Sequence, residues 1–375
     1  MKRSILAPSL LLLSLASLAP GQEDAARSLF LVYRGNAAGY IDQTGKIVIP
    51  PRFESATDFR EDRACAASSG KKYALIDTAG QFLTTPQFSA CHRFSDGRAA
   101  VAFPTEKTRT NCSDCDPFYH WGYIDRDGAL IVAPRYHTAG DFSEGLAAVE
   151  NDSGKWGFVD RSGRVAIDFR FDYAESFSEG LALVVIRKRY GYINHSGEPA
   201  IAPRFKYARS FSEGLALVRQ NGKFSVPSGT NLDDDDDSDD SSGVFEYIEN
   251  TGRTTISFTA EHASDFSEGL AEFGVIKKDG YLSCGYMNRA GKAVIGPKFG
   301  FCDDFSEGLA SVHVDGNWHF IDKTGNFVIN LPNGEVRSFH RGLAWVSQGT
   351  QPDNFETFGY IDKSGKLVWD PRPQK

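Results

Sequence analysis

The sequence predicts an all-β protein of tandem three-stranded repeats, about eight to nine units forming an open twisted array, with a closed propeller-like ring as the alternative. Three observations carry this. A motif of aromatic, Gly, aromatic, Ile and Asp recurs nine times with degenerate copies included, clearest at Trp121-Gly122-Tyr123-Ile124-Asp125 and Trp156-Gly157-Phe158-Val159-Asp160. A second motif, Phe142-Ser143-Glu144-Gly145-Leu146-Ala147, recurs at Phe177, Phe211, Phe266 and Phe305, and loosely at Phe59, Phe94 and Phe339. From the turn glycine after the first motif to the Phe opening the second is 14 residues in all eight units that hold both, a constancy that chance does not give.

At the amino end, Lys2 and Arg3 precede an apolar stretch from Ile5 to Leu18 and the small residues Ala19 and Gly21. Residues 1–21 therefore read as a secretory signal peptide and 22–28 as a short leader. The run is short of the roughly 20 apolar residues that span a bilayer. Pro8, Ser9, Ser14 and Ser17 also break it, and no later run is longer, so no membrane insertion is expected. The repeat domain covers 29–371 and a tail 372–375. With 41 Lys and Arg against 49 Asp and Glu, the net charge of -8 gives no basic footprint for nucleic acid.

Each unit reads as three strands. The aromatic-Gly-aromatic strand closes in a turn such as Asp125-Arg126-Asp127-Gly128, where Asp bonds the backbone ahead and Gly takes positive φ. Leu130 to Val132 form a second strand, which Pro134 is expected to end because it cannot donate to a ladder. The Phe-Ser-Glu-Gly segment turns the chain into a third strand, Leu146 to Val149. Such a unit cannot bury its apolar face alone, so neighbours must stack.

These residues, with Lys155 before Trp156, Gly163 after it and Ile131-Val132-Ala133-Pro134-Arg135-Tyr136, resemble the bacterial WG-repeat (KWG) proteins over residues 29–371. The strict Trp-Gly pair stands only at Trp121-Gly122 and Trp156-Gly157, and Trp318 precedes His319. The resemblance implies a β-rich repeat module and carries no catalytic residues. Residues 29–34 look like a third strand without its first two, and Tyr360 to Asp370 like the first two without a third. Joined, they would complete a ninth unit in a ring; left apart, they are the two ends of an array.

The six cysteines, Cys65, Cys91, Cys112, Cys115, Cys284 and Cys302, read as structural disulfides in an exported chain. Cys112 and Cys115 form a C-x-x-C, but no second pair completes a zinc set and no helix follows for a redox site.

All variation in length falls between a third strand and the next first strand, at 104–120, 220–245, 275–284 and 347–358. Insertions confined to one side of a repeat protein point to a binding face for a protein or a cell-envelope glycan. The longest insertion holds an acidic loop, 231–243, with seven acids in the eight residues from Asp233 to Asp240. It reads as solvated chain. A calcium reading rests on Asp235, Asp237, Asp239 and Glu246 at EF-hand positions 1, 3, 5 and 12, but Asp240 stands where that loop needs Gly.

The recurring pairs Glu144-Gly145, Glu179-Gly180, Glu213-Gly214, Glu268-Gly269 and Glu307-Gly308 repeat one environment, whereas acid–base catalysis needs carboxylates in different ones, so they read as structural. Arg52, Arg135, Arg170, Arg204 and Lys298 suggest a ladder of Arg–Glu pairs between units. The repeated aromatics Tyr123, Phe142, Phe158, Phe177, Tyr192, Phe211 and Phe305 could stack sugars but at fixed repeat positions read as core. With no nucleophile elbow, H-E-x-x-H, P-loop or G-x-G-x-x-G, no cofactor is expected, and a non-enzymatic binding protein is the reading. An extracellular hydrolase on a propeller-like scaffold and a purely structural envelope component are the alternatives.

Overall fold

The structure is a computed structural model that describes residues 28–68, 70, 72–105, 119–221, 243–278, 280–331, 334–347 and 358–371. Its described residues form nine antiparallel sheets, which succeed one another along the chain as the blades of a propeller. Blade 4 shows the pattern in full. A two-residue strand a (Thr138–Ala139) pairs with b (Leu146–Glu150), b with c (Trp156–Asp160), and c with d (Val165–Phe171). Blades 3 and 5 to 8 repeat it. Blades 1, 2 and 9 are three-stranded sheets, at Phe30–Arg34 to Ile47–Phe53, Ser55–Ala56 to Lys72–Ile76 and Leu343–Ser347 to Leu367–Trp369.

The ring is closed, which corrects the open-array expectation in favour of its alternative. Nine apolar clusters can be identified among the described residues, one at each junction of adjacent blades. At the junction of blades 4 and 5, Phe158, Ile167 and Phe171 pack on Phe177, Val184 and Ile193. The ninth cluster joins the ends, with Phe30, Val32 and Ile41 of blade 1 against Leu343 and Trp369 of blade 9. An open array of the same units would leave that pair of faces in water. Burying one large apolar side chain is worth about 1.5–3 kcal/mol, so closure is strongly favoured.

The closure also repeats a polar contact found inside the ring. Tyr40, Tyr123, Tyr192, Tyr247 and Tyr286 each donate from the hydroxyl to the carbonyl 17 residues on, as Tyr192 does to Arg209 at 2.7 Å. Tyr360 makes the equivalent contact across the seam, donating to the Leu31 carbonyl at 2.9 Å.

The unit read from the sequence is offset from the blade. Strand b of a blade is the third strand of one sequence unit, and it pairs with the first strand of the next: Ala148 lies opposite Phe158, and Val32 opposite Gly39. Residues 29–34 therefore belong to a sheet with the strands that follow them, and the two termini meet by packing of whole blades. Pro134 does not end its strand either. Strand d runs Leu130–Tyr136 through it, with register shifts on both sides of Val132. These bulges push the d backbone onto the c-strand glycine, which is why a side chain is not accommodated there. A Cβ on Gly122 would lie 2.3 Å from the Val132 oxygen, and one on Gly157 would lie 2.8 Å from that of Ile167.

Two of the expected disulfides form, Cys65–Cys91 between blades 2 and 3 and Cys284–Cys302 between blades 7 and 8. Each ties a b or c strand to the a strand of the next blade. Cys112 and Cys115 lie outside the described residues. No helix among the described residues is long and apolar enough to cross a membrane.

Candidate functional site

The Phe-Ser-Glu-Gly segments build one face of the ring. Glu144 and Gly145 have φ of 55° and 88°, and Ser143 bridges Leu146, so the pair forms the two-residue hairpin loop between strands a and b. Each residue then reaches the next blade or the core. Phe142 is buried against Tyr123, the Ser143 hydroxyl donates to the Phe177 carbonyl at 2.7 Å, and the Glu144 carboxylate accepts from the Gly180 amide at 3.1 Å.

The carboxylate contact recurs from Glu179 to Gly214, Glu213 to Gly269, Glu268 to Gly308 and Glu307 to Gly342. Three of these Glu residues also meet a cation on the c–d turn of the following blade, Glu213 with Arg289 at 4.0 Å, and Glu268 with Lys323 and Glu307 with Lys363, both at 3.1 Å. The recurring Glu residues thus link neighbouring blades through backbone amides, and the expected Arg–Glu ladder is corrected. Arg52, Arg135 and Arg204 donate to the carbonyls of Gly80, Gly163 and Gly252 in the next blade and lie over Phe53, Tyr136 and Phe205. Arg170 likewise reaches Gly197, and Lys298 lies over Phe299. The four guanidinium groups donate to backbone carbonyls, and the carboxylates bond elsewhere.

The inner edge of the ring carries the residues just before each Phe. On blades 7 and 8 the residue there is acidic, Asp265 and Asp304. Asp265 pairs with Arg209 at 2.8 Å and lies within electrostatic range of Glu175 and Asp304. Burial pushes the Asp265 and Asp303 carboxyls up, and it does the same to Glu272, which accepts from His262 at 2.7 Å. That hydrogen bond in turn raises the His262 imidazole. Glu272 comes near Cys284 and Cys302, but the two sulfurs are bonded to each other and supply no thiolate, so this group is not a metal site.

The opposite face carries the b–c connections, where all length variation falls. Between strands Leu270–Ile276 and Leu282–Asn288 the hairpin projects Ile276, Tyr281 and Leu282, which are 56%, 73% and 45% exposed. Most of 104–120, 220–245 and 347–358 lies outside the described residues, including the acidic loop with Asp235, Asp237 and Asp239. Of the calcium candidates Glu246 is described, and it accepts from Gln220 at 2.7 Å.

On this rim a cavity of about 540 Å³ opens between blades 2 and 3. Its polar lining includes Glu54, Ser55, Lys72 and Ser89, with Tyr73 and Tyr119 as aromatic walls. The Ser55 and Tyr73 hydroxyls lie 2.9 Å apart, and Lys72 donates to Ser89 at 2.6 Å. Sequence reasoning did not single out these residues; the signal present was Tyr119, standing at the end of an insertion. The aromatics considered for sugar stacking, from Tyr123 to Phe305, are all buried at blade junctions.

The family model described as WG containing repeat matches residues 39–72, 73–102, 121–156, 156–190, 190–224, 285–318 and 320–349, more than half of the chain. The chain belongs to the WG containing repeat family. In this WG repeat protein Trp156 packs on Tyr173 in the a strand of the next blade, whereas Trp121 packs on His92, just after the a strand of its own blade. The Gly admits the bulged d strand.

Comparison with curated proteins returns no match. Among solved structures, the computationally designed Ika8 protein is similar at 12% identity over 81% of this chain and 94% of that one, with a TM-score of 0.44. BamB from Moraxella catarrhalis is similar at 13% identity over 79% and 96%, TM-score 0.42. Hsv2 from Kluyvelomyces marxianus is similar at 10% identity over 82% and 91%, TM-score 0.36.

Proposed function

We propose that this WG repeat propeller is an exported, non-enzymatic binding protein that engages a cell-envelope glycan through the rim bearing the b–c loops. The carrying observation is the cavity between blades 2 and 3. Its two tyrosines, hydroxyls, ammonium and carboxylate are the groups that stack on and hydrogen-bond to sugar rings, and it adjoins the insertion that ends at His120. Export is supported by the amino-terminal pattern and by two disulfides between blades.

The test is binding of the mature protein to soluble fragments of envelope glycan, beside a Tyr73→Ala, Tyr119→Ala double variant. We expect at least a tenfold loss of affinity with an unchanged circular dichroism spectrum. Equal binding by both proteins removes the cavity from the site, and no binding by either rejects the glycan.

A protein partner is the second reading, favoured by the exposed Ile276, Tyr281 and Leu282 on the same rim. It is tested by capture from envelope extracts with that hairpin shortened.

A further inference from the structure

On the turn face, opposite the variable rim, a second cavity of about 280 Å³ sits at the closing seam. It lies where blades 9, 1, 2 and 3 meet. Arg60 of blade 2, Arg93 of blade 3, and Arg337, His340 and Arg341 of blade 9 converge on it, with Asp58 the one acidic residue in the lining. Trp345 and Tyr360 form an apolar wall, and the Arg337 guanidinium lies 5.0 Å from the Trp345 ring centre.

These residues stand where the repeat signature fails. Aligned on the conserved Phe, Arg60 and His340 take the place of the serine that elsewhere bonds the next blade, and Arg341 takes the place of the recurring glutamate. At that place in blades 3, 6, 7 and 8 a carboxylate pairs with a cation on the following turn. Here Gln43 donates to the Arg341 carbonyl at 2.6 Å, a contact that uses the backbone and leaves the guanidinium unneutralised. Among the described residues none of Arg60, Arg93, Arg337, Arg341 and His340 has a carboxylate within 4.0 Å. Burial, followed by Arg341 and Arg93, pushes the Arg60 guanidinium below its usual range. Burial and then Arg60 and Arg341 lower the His340 imidazole, with Glu307 and Asp58 opposing.

Four guanidinium groups held together in a protein of net charge -8 repel one another and weaken the fold unless a ligand repays the cost. Arginine forks present paired donors to oxyanions. Donors arriving from three blades suit a compact tetrahedral, multiply charged anion better than a planar carboxylate.

We infer that the cavity at the ring seam is a binding site for a phosphoryl group, with Arg60, Arg93 and Arg341 as its principal ligands and Trp345 and Tyr360 against whatever carries the group. This site is independent of the glycan reading, since it lies on the other face and shares no residue with it.

The test uses inorganic phosphate, phenyl phosphate and acetate at fixed ionic strength, on the mature full chain and on Arg60→Ala, Arg341→Ala and Arg253→Ala variants. Arg253 is exposed and pairs with Glu249, away from the seam. Calorimetry and thermal melts are the readouts. We expect saturable phosphate binding with a raised melting temperature, tighter binding of phenyl phosphate, and no saturable effect of acetate. Arg60→Ala and Arg341→Ala should each bind at least tenfold more weakly while melting no lower than the parent without ligand, because each relieves repulsion; Arg253→Ala should bind as the parent does.

Equal binding by parent and seam variants, or no binding by the parent, overturns the proposal. Saturable acetate binding as tight as that of phosphate overturns the phosphoryl assignment.

Discussion

Replacing Gly191 with Ala tests why strand c carries glycine. The φ of Gly191 does not fall in the left-handed region, so the demand is for space alone. A Cβ there would lie 2.7 Å from the Pro203 nitrogen and 2.8 Å from the Ile201 oxygen, so the d strand must retreat by about 0.7 Å to reach ordinary contact. Both obstacles are backbone atoms in a bulged strand and cannot rotate away as a side chain would. Overpacking of this kind costs about 1–3 kcal/mol, and rigid backbone places Gly191→Ala at the upper end. Alanine returns about 0.4–1 kcal/mol by restricting the unfolded chain, leaving a net loss of about 2 kcal/mol.

Gly180→Ala isolates the other reason for glycine. Gly180 has φ of 85° and no atom within 4 Å of a built Cβ, so it meets left-handed strain of about 1–2 kcal/mol with no clash, and the same offset leaves about 1 kcal/mol. Urea unfolding with intact disulfides, followed by tryptophan fluorescence and far-ultraviolet circular dichroism, compares the two. A loss for Gly191→Ala below about 0.5 kcal/mol, or smaller than that for Gly180→Ala, would refute the claim that the d-strand bulge excludes a side chain.

Phe177→Ala empties a buried position between blades 4 and 5 and should cost about 3–5 kcal/mol, whereas Leu130→Ala at a 48% exposed position should stay within about 0.5 kcal/mol, both by urea unfolding. Trp369→Ala removes the largest side chain of the closing cluster. Amide exchange should then quicken in Phe30–Arg34 and Phe358–Asp362 before it does in blade 5, and uniform quickening would count against closure by that junction. Replacing Cys284 and Cys302 with Ala opens an 18-residue link and should cost about 3 kcal/mol of unfolding free energy by chain entropy.

The Asp322 carboxyl is pulled down to about 2, chiefly by the Thr324 hydroxyl, and Asp42, Asp160 and Asp362 are lowered by the equivalent hydroxyl on their own turns. A carboxyl depressed in the fold stabilises above its unfolded value and loses that contribution as pH falls through the folded one. Asp322→Asn should therefore flatten the fall of melting temperature with acid between about pH 4 and pH 2; an unaltered acid limb would show the turn contributes nothing.

Much of the fold was legible because each signature residue has one repeated duty. The constant 14-residue spacing is the c–d turn, strand d, strand a and the approach to Phe, all fixed by packing between neighbouring blades. The phase of the blade was not legible, since a perfect repeat reads the same from any starting residue. Pairing of Ala148 with Phe158, across what the sequence suggests is a unit boundary, is a long-range fact. Strand a was also invisible, because two residues such as Thr138–Ala139 carry no period. Ring closure hinged on whether Trp369 meets Phe30, a contact that no local pattern encodes. The Arg–Glu ladder failed for a related reason: composition shows which charges recur but not that a backbone amide or carbonyl is nearer than the opposite charge.

Both cavities lie where the repeat is least regular. Inside a regular junction the signature groups are engaged: serine with a carbonyl, glutamate with an amide, arginine with a carbonyl and a ring. Such a junction offers an incoming ligand little that it does not already satisfy. Departures release groups from this scheme, and they do so in two places. On the variable rim, length changes leave Tyr73 and Tyr119 beside polar groups at the mouth of an insertion. At the seam, Arg60, His340 and Arg341 replace residues whose bonds hold other blades together, so cations stand where structural contacts would be. In a repeat protein the positions that break the pattern without breaking the ring are those free to serve a ligand, and here they fall on opposite faces.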